Sequence, residues 1–254
     1  MLIALNIGNT RIQIGLFDDS KIKACWSIAT DTKKTPDDLG IALKALLSSH
    51  EGIRSVDGIA ACSVIPSLTD TAQSMGKKYF GTNIFIVRPG INTKIAIKCR
   101  RPEEVGADRI ADAVGGYRKY RKSLIIVDCG TATTVDYISP RGEFMGGTIA
   151  PGLFGFAEAL YSQTIRLPRI EPSKPERAIG TDTLGAMNSG IYYGYIAMVE
   201  GLISRIRGEA KGRPLVISTG GYGRILSEES RSIAVYDEFL TLEGVKAIYD
   251  EWRP

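Results

Sequence analysis

Two apolar runs, each closed by a polar residue and a glycine, constrain this chain more than any other feature. The second is the fuller: Leu124-Ile125-Ile126-Val127 leads into Asp128-Cys129-Gly130-Thr131-Ala132-Thr133-Thr134. Four apolar residues, two of them isoleucine, read as a buried strand. A carboxylate stands where that strand stops, and a glycine then allows a sharp turn, so that backbone N–H groups and the hydroxyls of Thr131 and Thr133 are expected to face a small anion. The first run, Leu2 to Leu5, has the same sequel: Asn6-Ile7-Gly8-Asn9-Thr10 matches Asp128 to Ala132 at an offset of 122 residues. An alternating stretch follows each, with Ile12, Ile14 and Leu16 on one face in the first copy and Val135 and Tyr137 in the second. Two strand–loop–strand units in step imply a duplicated chain with a cleft between its halves and a phosphate loop in each.

The remaining pattern fits an α/β protein. The first half reads as strands over 2–5, 11–17 and 22–28, a helix opened by Thr35-Pro36-Asp37-Asp38, a strand over 59–64, a helix over 67–79 and a strand over 84–87. Strands alternating with helices place it in that class. Pro102-Glu103-Glu104 then has the composition of a helix start, with Ile110, Ala113, Val114 and Tyr117 as its apolar stripe. Gly115-Gly116 and the basic run to Lys122 mark the expected boundary, giving domains 1–118 and 119–254. The second half repeats the plan: strands over 124–128, 133–139 and 143–149, a helix after Pro151-Gly152, a surface loop over 163–180, a long helix over 183–207, a strand over 215–218 ending at Thr219-Gly220-Gly221, and a last helix over 240–252.

Composition removes several classes. At 254 residues the chain fits two domains that each bury a core. A net charge of +4 with scattered basic residues and no base-stacking aromatic pattern does not support nucleic-acid binding. The clusters Lys98-Cys99-Arg100-Arg101 and Arg118 to Lys122 are expected to be solvated faces. Cys25, Cys62, Cys99 and Cys129 form no C-x-x-C pair and His50 is the lone histidine, so a zinc site is not expected and reduced thiols are. No run reaches the length of a bilayer span, which sets the expectation of a soluble, cytoplasmic protein without a membrane partner. Neither a Walker-type loop nor a Gly-x-Gly-x-x-Gly fingerprint is present.

Five motifs in order, Gly8-Asn9-Thr10, Gly106-Ala107-Asp108-Arg109, Asp128-x-Gly130-Thr131-Ala132, Gly146-Gly147-x-Ile149-x-Pro151-Gly152 and Thr219-Gly220-Gly221, resemble those of the type III pantothenate kinases over essentially the whole chain. The resemblance implies duplicated ribonuclease-H-like domains of the actin-like ATPase superfamily with an interdomain cleft. It implies transfer of the γ-phosphoryl group of ATP to the primary hydroxyl of pantothenate, the first step toward coenzyme A, with Mg²⁺. By likeness, Asn6, Ile7, Gly8, Asn9, Thr10, Arg11, Ile12 and Gln13 cradle the ATP phosphates and Thr131 contacts the nucleotide. Gly106, Ala107, Asp108, Arg109 and Thr183 hold pantothenate, Asp108 is the catalytic base, and Asp128 binds potassium or ammonium. A homodimer with pantothenate at the subunit contact is implied as well. Phosphoryl transfer needs positioning and charge neutralisation, which these residue types supply, and Arg109 offers a guanidinium fork for the substrate carboxylate.

Two positions depart from the family. Asn6 stands where the first loop ordinarily opens with aspartate, which removes a unit of charge near Mg²⁺. Cys99 stands where an aromatic group ordinarily lines the substrate pocket. Asn6 motivates a competing reading, a catalytically weakened homologue that binds nucleotide as a regulatory protein; intact Asp108, Arg109, Asp128 and Thr131 favour the kinase.

Overall fold

The computed structural model describes all residues except Glu51, Arg54, Arg253 and Pro254. It divides into two compact units: Met1–Ala96 with Arg100–Lys119 and Phe239–Pro254, and Ile97–Cys99 with Tyr120–Glu238. Among the described residues no helix is long and apolar enough to cross a membrane.

The first unit is built on β1 (Leu2–Ile7), β2 (Arg11–Asp18), β3 (Lys21–Ala29), β4 (Gly58–Ser63) and β5 (Phe85–Val87), in the order β3-β2-β1-β4-β5. The first three strands form an antiparallel meander, and β4 and β5 join in parallel. Alternation decides the faces. Ile3, Leu5, Ile7, Ile12, Ile14, Leu16, Ile59 and Ala61 pack against α1 (Pro36–Ser48) and α2 (Pro66–Phe80) through Leu39, Leu43, Leu47, Leu68, Ala72 and Met75. Helix α1 starts with the expected cap: the Thr35 hydroxyl accepts from the Asp38 N–H at 3.2 Å, and Asp38 Oδ2 accepts from the Thr35 N–H at 2.8 Å.

The opposite face receives α7 (Leu240–Trp252), seated where Gly15 and Gly58 leave room for Leu242 and Tyr249. This corrects the assignment of the last helix to the second half, since its apolar stripe is buried on the first sheet. Helix α3 (Ala107–Tyr120) then stacks on α7. Gly115 and Gly116 lie inside α3 rather than at a break. A Cβ on Gly115 would stand 2.7 Å from the Leu240 carbonyl oxygen, and one on Gly244 would collide with Ala111, so the glycines exist for a close helix crossing. The Thr241 hydroxyl donates to the buried Asp112 carboxylate across the same crossing at 2.6 Å.

The second unit repeats the strand order with β6 (Leu124–Cys129), β7 (Ala132–Ile138), β8 (Phe144–Pro151), β9 (Leu215–Thr219) and β10 (Val235–Tyr236), read β8-β7-β6-β9-β10. Ile125, Val127, Cys129 and Val135 face α4 (Leu153–Gln163) and α5 (Thr183–Glu209). The short α6 (Gly223–Glu229) and β10 have no clear sequence signal. Residues 164–182 carry no helix or strand but are tied down: the Ser173 N–H donates to Asn188, the Ser189 hydroxyl to the Ala178 carbonyl, and Lys174 pairs with Glu229. The basic clusters are solvated, and four of their side chains also reach acids at the surface: Lys98 to Glu143, Arg101 to Glu104, Arg118 to Glu251 and Lys119 to Glu243.

Candidate active site

Each unit presents a hairpin loop at the end of its central strand. In the first, the pair Ile7–Ile12 closes the ladder and the Gly8 N–H donates to the Arg11 carbonyl at 3.0 Å. In the second, Cys129–Thr133 closes it and the Gly130 N–H donates to the Ala132 carbonyl at 3.1 Å, so this loop is one residue shorter. Neither Gly8 nor Gly130 is among the glycines with positive φ. At Gly8 the constraint is space instead, because a Cβ would lie 3.2 Å from the Arg11 carbonyl oxygen.

Asn6 lies on the sheet face that receives α7, directly between its register partners Gln13 and Cys62. Its Nδ2 donates to Gln13 Oε1 at 3.4 Å, and its Oδ1 accepts from the Cys62 thiol at 3.3 Å. Cys62 is fully buried and was not singled out from sequence; the parallel pairing of β4 with β1 is the signal that would have found it. Asn9, Thr10 and Arg11 are exposed on the loop.

Asp108 is in the first turn of α3, half-buried, with its carboxylate over Gly106 and accepting from the Arg109 N–H at 2.8 Å. A Cβ on Gly106 would lie 2.5 Å from Asp108 Oδ1. The glycine therefore makes room for the acid, which explains their spacing in Gly106-Ala107-Asp108. Gly106 to Arg109 thus fall in the same unit as Asn6 and Gln13.

Asp128 pairs in register with Thr134 on one side and Thr219 on the other, so all three side chains share a face. Gly220 takes φ +81°, and a Cβ there would collide with Asp128 Oδ1. The Thr134 hydroxyl is buried and has no hydrogen-bond partner among the described residues. Thr131 is exposed at the loop tip. Thr133 is not: its hydroxyl is buried and lies 2.8 Å from the Tyr195 hydroxyl, so it faces the core rather than an anion. Burial and the neighbouring Asp128 charge push the Cys129 thiol well above its ordinary range, so it stays protonated and takes no nucleophilic part.

Cys99, half-buried, belongs to the second unit. Its neighbour Lys98 donates its N–H to the Phe144 carbonyl at 2.8 Å, and Cys99 Sγ lies beside Gly146, which has φ +109°. Thr183 is exposed at the first position of α5, behind Asp182, whose carboxylate caps the helix by accepting from the Gly185 N–H at 2.8 Å.

The sequence profile of the type III pantothenate kinases matches residues 2–205. A type III pantothenate kinase from Geotalea uraniireducens (strain Rf4) is 43% identical over 254 residues, covering 100% of this chain and 99% of that one. The chain belongs to the type III pantothenate kinase family. Its fold recurs in solved structures of other proteins. A putative 2-dehydro-3-deoxygalactonokinase from Sinorhizobium meliloti superposes with a TM-score of 0.63 at 13% identity, covering 100% of this chain and 97% of that one. The activator of 2-hydroxyisocaproyl-CoA dehydratase from Clostridium difficile, solved with bound ADPNP, gives 0.59 at 12% identity, covering 98% and 94%. At such identities the likeness is one of fold. In this chain the Gly8-Asn9-Thr10 and Asp128-x-Gly130-Thr131 segments sit at strand ends, and Gly106-Ala107-Asp108-Arg109 sits at a helix start.

Proposed function

We propose that the protein transfers the γ-phosphoryl group of ATP to the primary hydroxyl of pantothenate. Family membership at 43% identity over the full chain is the observation that carries this reading. Asn6 to Gln13 and Thr131 contact the nucleotide, whose phosphates meet backbone N–H groups and hydroxyls that need no reorganisation as charge moves. Mg²⁺, when bound with ATP, neutralises phosphate charge. Asn6 contributes a neutral oxygen toward it, held by Cys62 and Gln13.

Asp108 accepts the proton of the pantothenate hydroxyl as the bond to phosphorus forms, and Arg109 holds the substrate carboxylate in two parallel hydrogen bonds. Gly106, Ala107, Cys99 and Thr183 complete the substrate contacts. Asp128 binds potassium or ammonium. The buried Thr134 hydroxyl beside it on the same sheet face, without a partner among the described residues, fits that assignment, because a monovalent cation takes hard neutral oxygens alongside one carboxylate.

The protein acts as a homodimer. Helix α5 supports this with a line of small residues beginning at Thr183: Ala186, Gly190, Gly194, Ala197, Gly201, Ser204 and Gly208 recur at helical spacing. Around Gly190, Gly194, Gly201 and Gly208, apart from the chain neighbours and the helix backbone, no described residue comes within 4 Å of where a Cβ would stand. Gly190→Phe with Gly201→Phe should yield a monomer in sedimentation.

The test is ADP release by the purified protein, with and without pantothenate, in potassium against sodium. Release that requires pantothenate and is faster in potassium is expected. Nucleotide binding with no pantothenate-dependent release overturns the reading in favour of a non-catalytic homologue.

A further inference from the structure

The second hairpin stands on a polar group that the chemistry above leaves unused. Cys129 and Thr133, the last ladder pair before the loop, and Tyr195 of α5 are each no more than 1% exposed, and they lie inside an otherwise apolar core. The Thr133 and Tyr195 hydroxyls are 2.8 Å apart. A pair of hydroxyls at such a depth gains little for stability alone, since apolar groups of the same shape can serve as well. A phenylalanine would fill the space of Tyr195.

The first hairpin shows what this group replaces. There the equivalent pair is Ile7–Ile12, wholly apolar, and the loop is held from its flank by Thr30, which donates its N–H to the Thr10 carbonyl at 3.0 Å and its hydroxyl to the Gly8 carbonyl at 2.7 Å. In the second hairpin the flanking residue is Gly152. It keeps the backbone bond, to the Thr131 carbonyl at 3.1 Å, but has no side chain, because a Cβ would collide with the Gly130 and Thr131 carbonyls. The side-chain anchor is thus missing at the flank and present underneath.

We infer that Tyr195 is a positioning residue for the nucleotide loop of the second unit, pinning Gly130 to Ala132 through the Thr133 hydroxyl as Thr30 pins the first loop. The inference rests on the proposed contact between Thr131 and nucleotide. Tyr195 touches no substrate. It holds the loop in the geometry that presents its N–H groups and the Thr131 hydroxyl.

The test uses the full chain as Tyr195→Phe, as Thr133→Val and as the double variant. For each single variant we expect the nucleotide Kd and the KM for ATP to rise about threefold to tenfold, the worth of one hydrogen bond. The KM for pantothenate should stay put, and amide exchange should speed at Gly130 and Thr131 but not between Gly8 and Arg11. The double variant should be no worse than either single one, because both partners are gone. If one single variant fails to fold, the other carries the same expectations. A lowered Tm with wild-type nucleotide Kd and wild-type loop exchange overturns the inference and leaves Tyr195 as core. Faster loop exchange with an unchanged nucleotide Kd supports the pinning and overturns the nucleotide contact.

Discussion

The two hairpins share a strand order and a flanking brace, yet their pairings differ by one residue and their polar rows differ in charge. In the first, Asn6 sits between an amide and a thiol, and both of its polar ends are engaged by Gln13 and Cys62. In the second, Asp128 sits between two threonines, one with a hydroxyl that no described residue satisfies, and Gly220 clears space against the carboxylate. The two units therefore repeat a frame and carry different chemistry on it. The first row is neutral, its amide oriented by both neighbours; the second keeps an anion beside a hydroxyl that no described residue uses, which suits it to a monovalent cation.

The largest break in this comparison is expected from Asp128→Asn, which makes the second row neutral like the first. Turnover should fall about 10²-fold or more, the scale of a few kcal/mol, and the preference for potassium over sodium should vanish in the coupled ADP assay. Unchanged potassium dependence would remove Asp128 from the cation site. The converse variant, Asn6→Asp, gives the first row the charge of the second. It should raise turnover about tenfold and lower the Mg²⁺ concentration needed, since a carboxylate is the better magnesium ligand. Equal or lower activity would mean that another oxygen already fills that role.

Below these come effects on the frame. Gly244→Ala forces α3 and α7 apart by driving a methyl group into Ala111, and should cost about 1–3 kcal/mol in urea unfolding. Exchange in the second unit's α5 should be unaffected, because the crossing belongs to the first unit alone. The smallest effect concerns helix starts. Asp38 caps α1, and the Thr35 N–H and then its hydroxyl hold the Asp38 carboxyl below its ordinary value, whereas α4 begins at Gly152 with no side-chain cap. A depressed folded value means that the stabilisation is present above the unfolded value and is lost as pH falls through the folded one. Asp38→Ala should speed amide exchange in the first turn of α1 at neutral pH and leave α4 unchanged. Acidification should bring the wild-type helix toward the variant.

Much of this was legible in the residues. The repeated apolar-run, polar, glycine pattern gave both central strands and both loops, and Thr35-Pro36-Asp37-Asp38 gave a helix start, because these are local signals of period and capping. Long-range packing was not. Gly115-Gly116 reads as a break in sequence and is a helix crossing in space, since its reason, Gly244, lies far along the chain. The return of α7 to the first sheet has the same cause. Thr133 looks like a loop hydroxyl until strand alternation turns it toward Tyr195. Cys62 acquires meaning only when β4 is laid beside β1. The neutral satisfaction of Asn6 and the open valence of Thr134 depend on neighbours from other strands, which a linear pattern does not contain.

The most direct measurement is amide hydrogen exchange of both loops with and without magnesium and a non-hydrolysable ATP analogue. The account predicts slowed exchange at Gly8 to Arg11 and at Gly130 to Ala132 together, with the exposed segment between α4 and α5 little changed by nucleotide alone. Protection confined to one hairpin, or absent from both while the analogue is bound, would contradict it.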